Sequence, residues 1–314
     1  MRGISIEFSI LPLHLTLPGT RINYVEGISA IEQCDLSQCD MSYRVIPPIV
    51  DGIFYPENEA DVLAYMETIG LERGKGGLAQ AVIAPHGAWE ISGSLAGAAF
   101  ASAGGRIGRK SPSRVVMLGP VHDTRSKGLF LTLSHSFQTP LGNIPVDQEA
   151  SGWLKSCSPL FEVDDIPHLY EHSIEVLLPF VKYCFPRASV VPVLMGNPQE
   201  QYISALAHAL RTVFEPIMIN TLFVVSFNLA IPPGDANAMV MAEECLRLFR
   251  EDRRDELISA LQDGRIASCG GALFAALLKS GLMAAAHPRI ASDSLLSAWG
   301  EREKNVYYSA FSFE

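Results

Sequence analysis

Residues 79–103 read "AQAVIAPHGAWEISGSLAGAAFASA", and this stretch decides the fold. Its first part is apolar, rich in Ala, Val and Ile, and stops at Pro85, which predicts a buried strand. Its second part consists mostly of small residues and predicts a helix that can pack closely on a sheet. The turn between them carries His86. A strand that leads through a short turn into a helix is the building unit of α/β folds.

The same alternation continues along the chain. Further buried strands are predicted at 113–120, 188–196 and 221–227, with helical segments between and after them. Continuous apolar strands separated by helices indicate an α/β fold with a mostly parallel central sheet and helices on both faces. Residues 128–147 break the pattern and predict a β-hairpin inserted in this body.

The predicted helices carry apolar residues at helical spacing or consist of small residues, and they cover 59–68, 172–185, 199–214, 237–252, 254–264 and 270–281. A final strand, alternating and aromatic, is predicted at 303–314. Residues 1–43 contain no strong helix, and we interpret them as an N-terminal extension. Residues 44–314 are predicted to form one α/β domain, with two fused lobes as the alternative.

The composition narrows the class of protein. The chain has 314 residues, of which 48% are hydrophobic and 18% charged, an ordinary globular composition. Its formal net charge of -10 argues against nucleic acid or anionic lipid as the main partner, because both bind basic patches. No apolar segment reaches the roughly 18 residues that a membrane helix needs. Six scattered cysteines show no disulfide spacing, so we expect a reducing, cytoplasmic location.

Two histidines follow predicted strands in the same manner. His86 comes after "AVIAP" and His122 comes after "VVMLGPV". Ligands of open α/β sheets gather at the carboxyl ends of the parallel strands, which is where both imidazoles are expected to lie. The alternative for each is a loop histidine hydrogen-bonded to backbone. Their equivalent positions in two strands favour a shared binding site.

A second group of titratable residues lies in "DDIPHLYEHSIEVLLPF". His168 and His172 are four residues apart, as are Glu171 and Glu175, so each pair shares a face if the segment is helical. Glu175 precedes an apolar run, and a buried carboxylate there needs a partner. One interpretation is that it accepts a hydrogen bond from a metal-bound imidazole and orients the ring. The alternative is a helix entry at which acidic residues, including Glu171, favour the positive helix end.

Cys269 precedes two glycines and a predicted helix in "IASCGGALFAALL". The N–H groups at a helix start favour thiolate, which binds metals and is a nucleophile. The alternative is a small buried cysteine that packs a turn. Together with His86 and His122, Cys269 would make a three-ligand site with open coordination positions. Two imidazoles and one thiolate suit zinc, iron or copper.

At this point the sequence resembles the Memo-like proteins. The family's motifs occur in order from Arg44 to the C-terminal part of the chain, whereas residues 1–43 carry none of them. The matching strings are "RVIPPIVDGIFYP", "APHGAWEISG", "VVMLGPVHD", "TPLGNIPVD", "EHSIEVLLPF", "VVPVLMG" and "SCGG".

The resemblance implies a fold similar to that of class III extradiol ring-cleaving dioxygenases, which use non-haem iron. In Memo-like proteins two histidines and one cysteine hold the metal. By motif these ligands correspond to His86, His122 and Cys269, the same three residues that their positions beside predicted strands and helices suggest.

The sequence departs from the family pattern in three places. Trp89 stands in a string where the family reads A-P-H-A-G-Y, and Asp123 follows His122 where the family often has a second histidine. The family's late S-S-D-x-S-H string is "SFNLAI" here, so Asn228 replaces the acid and Ile231 replaces the histidine. Isoleucine cannot transfer a proton, and the family's proton-handling pair is therefore absent from this string.

These features favour a metal-dependent oxidoreductase, dioxygenase-like and with iron as the first choice of metal before copper or zinc. His168 or His172 would supply the acid/base role, and Glu175 would orient a ligand. The expected ligand is a small molecule or a peptide, held in a pocket to which we assign Trp89, Asp123, Phe227 and Asn228.

Two alternatives from other functional classes stay open. The first is a non-catalytic metal- or peptide-binding protein, which the replacements at Asn228 and Ile231 favour. The second is hydrolysis by a zinc-bound water, with Glu171 or Glu175 as the base. The sequence does not disclose the oligomeric state.

Overall fold

An eight-stranded sheet runs through the middle of the protein. The computed structural model describes residues 44–73, 77–103, 111–229, 238–297 and 307–314, of which 238–239 and 292–297 are described by their backbone alone. The expectations for 1–43 and for Ile231 lie outside the described residues.

The strands are β1 Val45–Ile46, β2 Ala81–Ala84, β3 Arg114–Pro120, β4 Gly128–Leu131, β5 Ser136–Phe137, β6 Ile144–Pro145, β7 Phe161–Val163, β8 Ser189–Gly196, β9 Thr221–Ser226, β10 Pro288–Ser297 and β11 Tyr307–Phe313. The helices are α1 Glu59–Thr68, α2 Ser94–Ala101, α3 Gln148–Cys157, α4 Asp165–Tyr170, α5 His172–Glu175, α6 Leu178–Cys184, α7 Glu200–Phe214, α8 Ala238–Arg250, α9 Arg254–Gln262 and α10 Gly271–Lys279. A π-helical turn, Trp89–Gly93, leads into α2.

The strand order of the large sheet is β10-β11-β2-β9-β3-β8-β4-β7. The four central strands β2, β9, β3 and β8 are parallel, as are β4 and β7. Antiparallel pairing occurs where β4 meets β8 and where β11 joins β2 and β10. The predicted mostly parallel sheet is therefore confirmed. Strand β10, which the sequence did not predict, extends one edge.

Each face of the sheet has its own hydrophobic core, because alternate residues of a strand point to opposite faces. Val116 and Val225 lie in one core with residues of α3, α7, α8, α9 and α10. Val115 and Val224 lie in the other core with residues of α1, α2, α5 and α6. Helices thus cover both faces, as predicted. None of the helices in the described part of the chain has the length and apolar character of a membrane span.

The predicted hairpin is present in part. Strands β5 and β6 form an antiparallel pair, which β1 extends to a three-stranded sheet by pairing parallel to β5. The preceding strand β4 belongs to the large sheet instead. The insertion therefore starts after β4, at the end of a sheet strand.

The single helix predicted over 172–185 is wrong, because the segment forms the short helices α5 and α6. Pro179 has no N–H to donate, and in a continuous helix its ring would collide with the carbonyl of Glu175. Helix α5 ends at Glu175, and α6 begins at Leu178 with the proline in its first turn, where proline is tolerated. The break places His172 and Glu175 on a single short turn.

Candidate metal centre

His86 lies directly beyond the C-terminal end of β2 and is only 2% exposed. Its backbone N–H donates to Oδ1 of Asn228 at 3.0 Å. Its ring Nδ1 lies 2.6 Å from Oγ of Ser226, and the same hydroxyl donates to the carbonyl oxygen of Ser173 at 2.7 Å. These three contacts fix both the backbone and the ring of His86.

The contacts of Ser226 determine the tautomer of His86. A hydroxyl has one hydrogen, and a carbonyl oxygen can only accept, so the hydrogen of Ser226 goes to Ser173. The Nδ1 of His86 must then be the donor towards Ser226, which leaves Nε2 with a lone pair. That Nε2 is buried and has no hydrogen-bond partner. Burial, together with nearby His122 and His172, lowers the pKa of His86 well below its ordinary value and keeps the ring neutral.

His122 lies just beyond the end of β3 and is held by Glu171. Its Nδ1 is 2.9 Å from Oε1 of Glu171, and its backbone N–H donates to Oε2 at 2.7 Å. Burial opposes ionisation of Glu171, but its hydrogen bonds with His122 hold the pKa of the carboxyl at about 2. An ionised carboxylate only accepts, so Nδ1 of His122 carries a hydrogen and Nε2 is directed away from Glu171. Carboxylates orient metal-binding imidazoles in this way.

The third ring of the cluster belongs to His172, the first residue of α5. Ring nitrogens of His86, His122 and His172 all lie within 4.8 Å of one another. His122 and His172 are stacked, with ring centroids 4.8 Å apart, and Phe54 packs edge-on against His172. Three imidazole nitrogens at this separation could hold one metal ion. The three rings come from the ends of two parallel strands and from one helix start.

Cys269 lies beside the same cluster but is not a member of that group of three ring nitrogens. Its backbone forms an isolated antiparallel bridge with Asn228, through two hydrogen bonds of 2.9 and 3.0 Å. It lines a cavity together with His122. Burial opposes protonation of His122, but the Cys269 thiol and Glu171 raise the pKa of the ring to about 10. The thiol is thus close enough to His122 to interact with it directly.

With this geometry in place, comparison with known proteins identifies the family. The model of the Memo-like protein family matches residues 47–291. The chain belongs to the Memo-like family.

Two relatives show the extent of the likeness. A MEMO1 family protein of Thermotoga neapolitana is 34% identical over 194 residues, which cover 58% of this chain and 69% of the relative. One of Aeropyrum pernix is 28% identical over 266 residues, which cover 79% and 91%. A crystal structure of an uncharacterised protein from Escherichia coli K12 matches 74% of this chain and 98% of its own at 11% identity, with a TM-score of 0.41. That last match is distant, and nothing about the chemistry follows from it.

Asn228 stands where the Memo-like motif has an acid, and in the structure it holds two segments of the chain together by hydrogen bonds. Its side-chain oxygen accepts from the His86 N–H, and its backbone pairs with Cys269. It is 7% exposed. This one residue therefore ties the segment of His86 to that of Cys269 without any acid/base chemistry.

Two of the residues assigned to the pocket belong to the core instead. Trp89 is 2% exposed, donates through Nε1 to the carbonyl oxygen of Val176 and packs on Phe180. Phe227 is fully buried and packs on Phe274 and other core aromatics. Both side chains are large and apolar, and such residues suit the hydrophobic core of the sheet as well as the wall of a pocket. Neither residue lines the two cavities beside the histidine cluster, so the assignment of Trp89 and Phe227 to the pocket is wrong.

Asp123 does line a cavity, together with His122 and His172. This cavity has a volume of about 490 Å³, and exposed Ile166 and Tyr170 form part of its rim. Asp123 is paired with Arg125 through two side-chain contacts of 3.0 and 3.2 Å. The cavity gives His122 and His172 access to solvent.

His168 and Glu175 make structural contacts. The Nε2 of His168 lies 3.2 Å from the carbonyl oxygen of Phe130, which can only accept, so the neutral ring donates there. Glu175 accepts from the N–H groups of Ile49 and Val50 and from the Tyr55 hydroxyl, at 2.9 to 3.0 Å. It holds the segment before α1 in place.

The orienting role that the sequence suggested for Glu175 belongs to Glu171, which contacts His122 and His172. Glu171 also caps α5 by accepting from the N–H of Ser173, as the helix-entry alternative expects. Ser226, 140 positions from His86, was not predicted at all. A serine at the end of a predicted buried strand is the signal that could have pointed to it, because a hydroxyl there needs a partner.

Proposed function

We propose that this Memo-like protein is a metal-dependent redox enzyme with one divalent transition metal at the cluster. The observation that carries the proposal is the buried Nε2 of His86, which has a lone pair and no partner. Leaving such a group unsatisfied costs about 1–3 kcal/mol, and a metal ion would remove that cost. The nitrogens of His122 and His172 within 4.8 Å support the same location.

His86 and His122 are the two ligands on which the proposal depends, and Cys269 is the proposed third. Two imidazoles and a thiolate suit zinc, iron or copper, and the resemblance to iron-dependent ring-cleaving dioxygenases makes iron our first choice. Such an ion would supply open coordination positions for oxygen and for a small organic ligand. The residues around it fit this use, because Glu171 and Ser226 each fix one imidazole.

His172 is then free to move a proton. Asn228 and the buried His168 offer no acid/base group to the site, since one is an amide and the other donates to Phe130. His172 faces the larger cavity, and burial lowers its pKa below the ordinary value, which favours the neutral ring that a general base needs. The ligand would enter through this cavity. The four free thiols in the described part of the chain support a reducing, cytoplasmic setting.

A second function has an observation of its own. The ring nitrogens that lie within 4.8 Å of one another belong to three histidines, and Cys269 is outside this set. If His172 is the third ligand, it cannot serve as a base. The protein would then bind metal or a peptide without catalysing a reaction, as the Asn228 replacement also favours.

Metal retention in four variants separates the two functions. In the enzyme proposal, H86A and C269A lose metal, whereas H172A keeps it and loses oxygen uptake with catechol-type substrates after iron loading. In the binding proposal, H172A loses metal and C269A keeps it. The control C157A removes a thiol in α3 and should bind metal as the wild type does. Stoichiometric metal in H86A would contradict both.

A further inference from the structure

Helix α4 forms one wall of the cavity that gives His122 and His172 access to solvent. Ile166 and Tyr170 lie four positions apart on this helix, so they share a face, and both line the cavity. Ile166 is 62% exposed and Tyr170 is 80% exposed. Neighbouring large side chains that stay open to solvent mark an interaction site more often than a single exposed residue does.

The other side of α4 is fastened to the body of the protein. The carboxylate of Asp165 accepts from the N–H of Leu133 at 2.8 Å and from the hydroxyl of Ser134 at 3.1 Å. The ring of buried His168 donates to the carbonyl oxygen of Phe130 at 3.2 Å. The exposed face of the helix is therefore held in place before a ligand arrives. A wall of this kind loses little conformational freedom on binding, which favours affinity.

The charged side chains that line the cavity in the described part of the chain are paired with one another. Asp123 contacts Arg125 at 3.0 and 3.2 Å. Glu171 lies 2.9 Å from the ring of His122 and 3.3 Å from that of His172. The other described residues of the lining are Val121, Ser126, Ile166, Pro167 and Tyr170. A charged ligand would have to displace one of the existing pairs, whereas an apolar group meets an open surface.

We propose that the site takes a small, uncharged organic molecule with an apolar substituent, and that Ile166 and Tyr170 select this molecule by covering the substituent. The inference rests on the proposed function and names the substrate class of the same site. The polar end of the molecule would face His172 and the metal centre, and the substituent would lie on α4.

The size of the cavity agrees with such a ligand. At about 30 Å³ per water molecule, its volume of about 490 Å³ corresponds to about sixteen waters. A substituted ring fits into this space, whereas a folded partner does not. Because the cavity also contains the two imidazoles, the ligand of the metal centre is the occupant that reaches the exposed face of α4.

Leu133 offers a matched control for the two residues on α4. It is 50% exposed and lies beside the start of α4, where its N–H bonds to Asp165, but it is not among the described residues that line the cavity. L133S removes apolar surface from the same region without changing the cavity wall. I166S and Y170S remove it from the wall itself. All three positions are exposed, so these substitutions should not affect folding.

The test measures binding of phenol, p-propylphenol and p-hydroxyphenylpropanoate by calorimetry to the full chain, both with Zn²⁺ and without metal. We expect the wild type to bind p-propylphenol about tenfold more tightly than phenol, because one side of the propyl group becomes buried. The propanoate has a chain of the same length that ends in a carboxylate, and it should bind no more tightly than phenol. I166S and Y170S should each lower the tenfold preference to about threefold or less, whereas L133S should keep it.

The outcomes separate this inference from the metal proposal. Equal affinities of the wild type for phenol and p-propylphenol overturn the inference, as does a complete lack of binding or a preference that I166S and Y170S leave unchanged. Each of these results would leave a protein partner as the occupant of the exposed face of α4. Tighter binding of the propanoate overturns the selection of uncharged ligands. A chain that retains no Zn²⁺ but shows the propyl preference, and loses it in I166S and Y170S, overturns the metal centre alone.

Discussion

The hydroxyl of Ser226 lies 2.6 Å from Nδ1 of His86, so the end of one strand sets the protonation of a ring at the end of its neighbour. The two strands are parallel, with Ala84 opposite Ser226, and His86 follows two residues later. S226A removes the contact that keeps Nε2 unprotonated. We expect metal affinity to fall about 10- to 100-fold, measured by competition with a chelator.

The control is S312A, which removes the hydroxyl of another fully buried serine, one that has no hydrogen-bond partner. Its metal affinity should equal that of the wild type. Equal affinities in S226A and the wild type would show that Ser226 has no influence on the site.

Glu171, which caps α5, and Glu175, the last residue of α5, offer a matched comparison. E171Q should weaken metal binding about 10- to 100-fold, because the neutral amide no longer accepts at both oxygens that hold His122. E175Q should leave metal affinity unchanged but lower the free energy of unfolding by about 1–3 kcal/mol. It neutralises the carboxylate whose Oε1 accepts from Ile49, Val50 and Tyr55, and it replaces one carboxylate oxygen by an NH₂ group that cannot accept. Chelator competition and urea unfolding measure the two effects. The reverse pattern would give Glu175 the orienting role.

The buried ring of His168 predicts a pH dependence of stability. Burial lowers its pKa to about 4, below the ordinary 6.5, so the unfolded chain binds the proton more readily. The contribution of the neutral, buried His168 ring to the free energy of unfolding is fully present above pH 6.5 and is lost as the pH falls towards 4. The difference between the pKa values of His168 in the folded and the unfolded chain corresponds to at most about 3 kcal/mol of unfolding free energy. H168Q should flatten the slope of unfolding free energy between pH 7 and 5, and an unchanged slope would rule out this role for His168.

Gly270 should tolerate no side chain. Its φ of +88° is unfavourable for other residues, and a Cβ would lie 2.1 Å from the carbonyl oxygen of Ser226. G270A should lower the free energy of unfolding by more than about 3 kcal/mol, or prevent folding. G264A has a similar φ of +77° with nothing within 4 Å of a Cβ, so it should cost only about 1 kcal/mol. Equal losses in urea unfolding would show that strain alone matters at Gly270.

Local sequence signals predicted much of the fold because each depends on nearby residues. Asn58 before α1 is one example, since its side chain accepts from Asp61 and caps the helix at the predicted position. The break between α5 and α6 could also have been predicted from Pro179. The helical spacing of the apolar residues around it instead led to the prediction of one continuous helix. Strand β10 was missed because its pairing with β11 is set by tertiary contacts rather than by its own pattern.

Of the three histidines in the cluster, only His86 and His122 were predicted from the sequence as metal ligands. His86 and His122 follow apolar strands, which a sequence shows directly. Their partners come from distant segments, with Glu171 49 positions from His122 and Ser226 140 positions from His86. Nothing in the local pattern distinguishes Glu171 from Glu175, since both lie in the same segment, four positions apart. Burial in the structure does not distinguish them either, because both are buried. Only the folded arrangement determines which carboxylate meets the ring.

Asn228 joins the N–H of His86 to the backbone of Cys269, and Gly270 then packs against Ser226. The segments that bear the proposed ligands are consequently fastened together before any ion arrives. A coordination sphere built on such a frame has little freedom to expand or contract. Ions that differ in preferred bond length and geometry should therefore be discriminated by mechanical fit, so that selectivity among metals becomes a property of the scaffold as much as of the donor atoms.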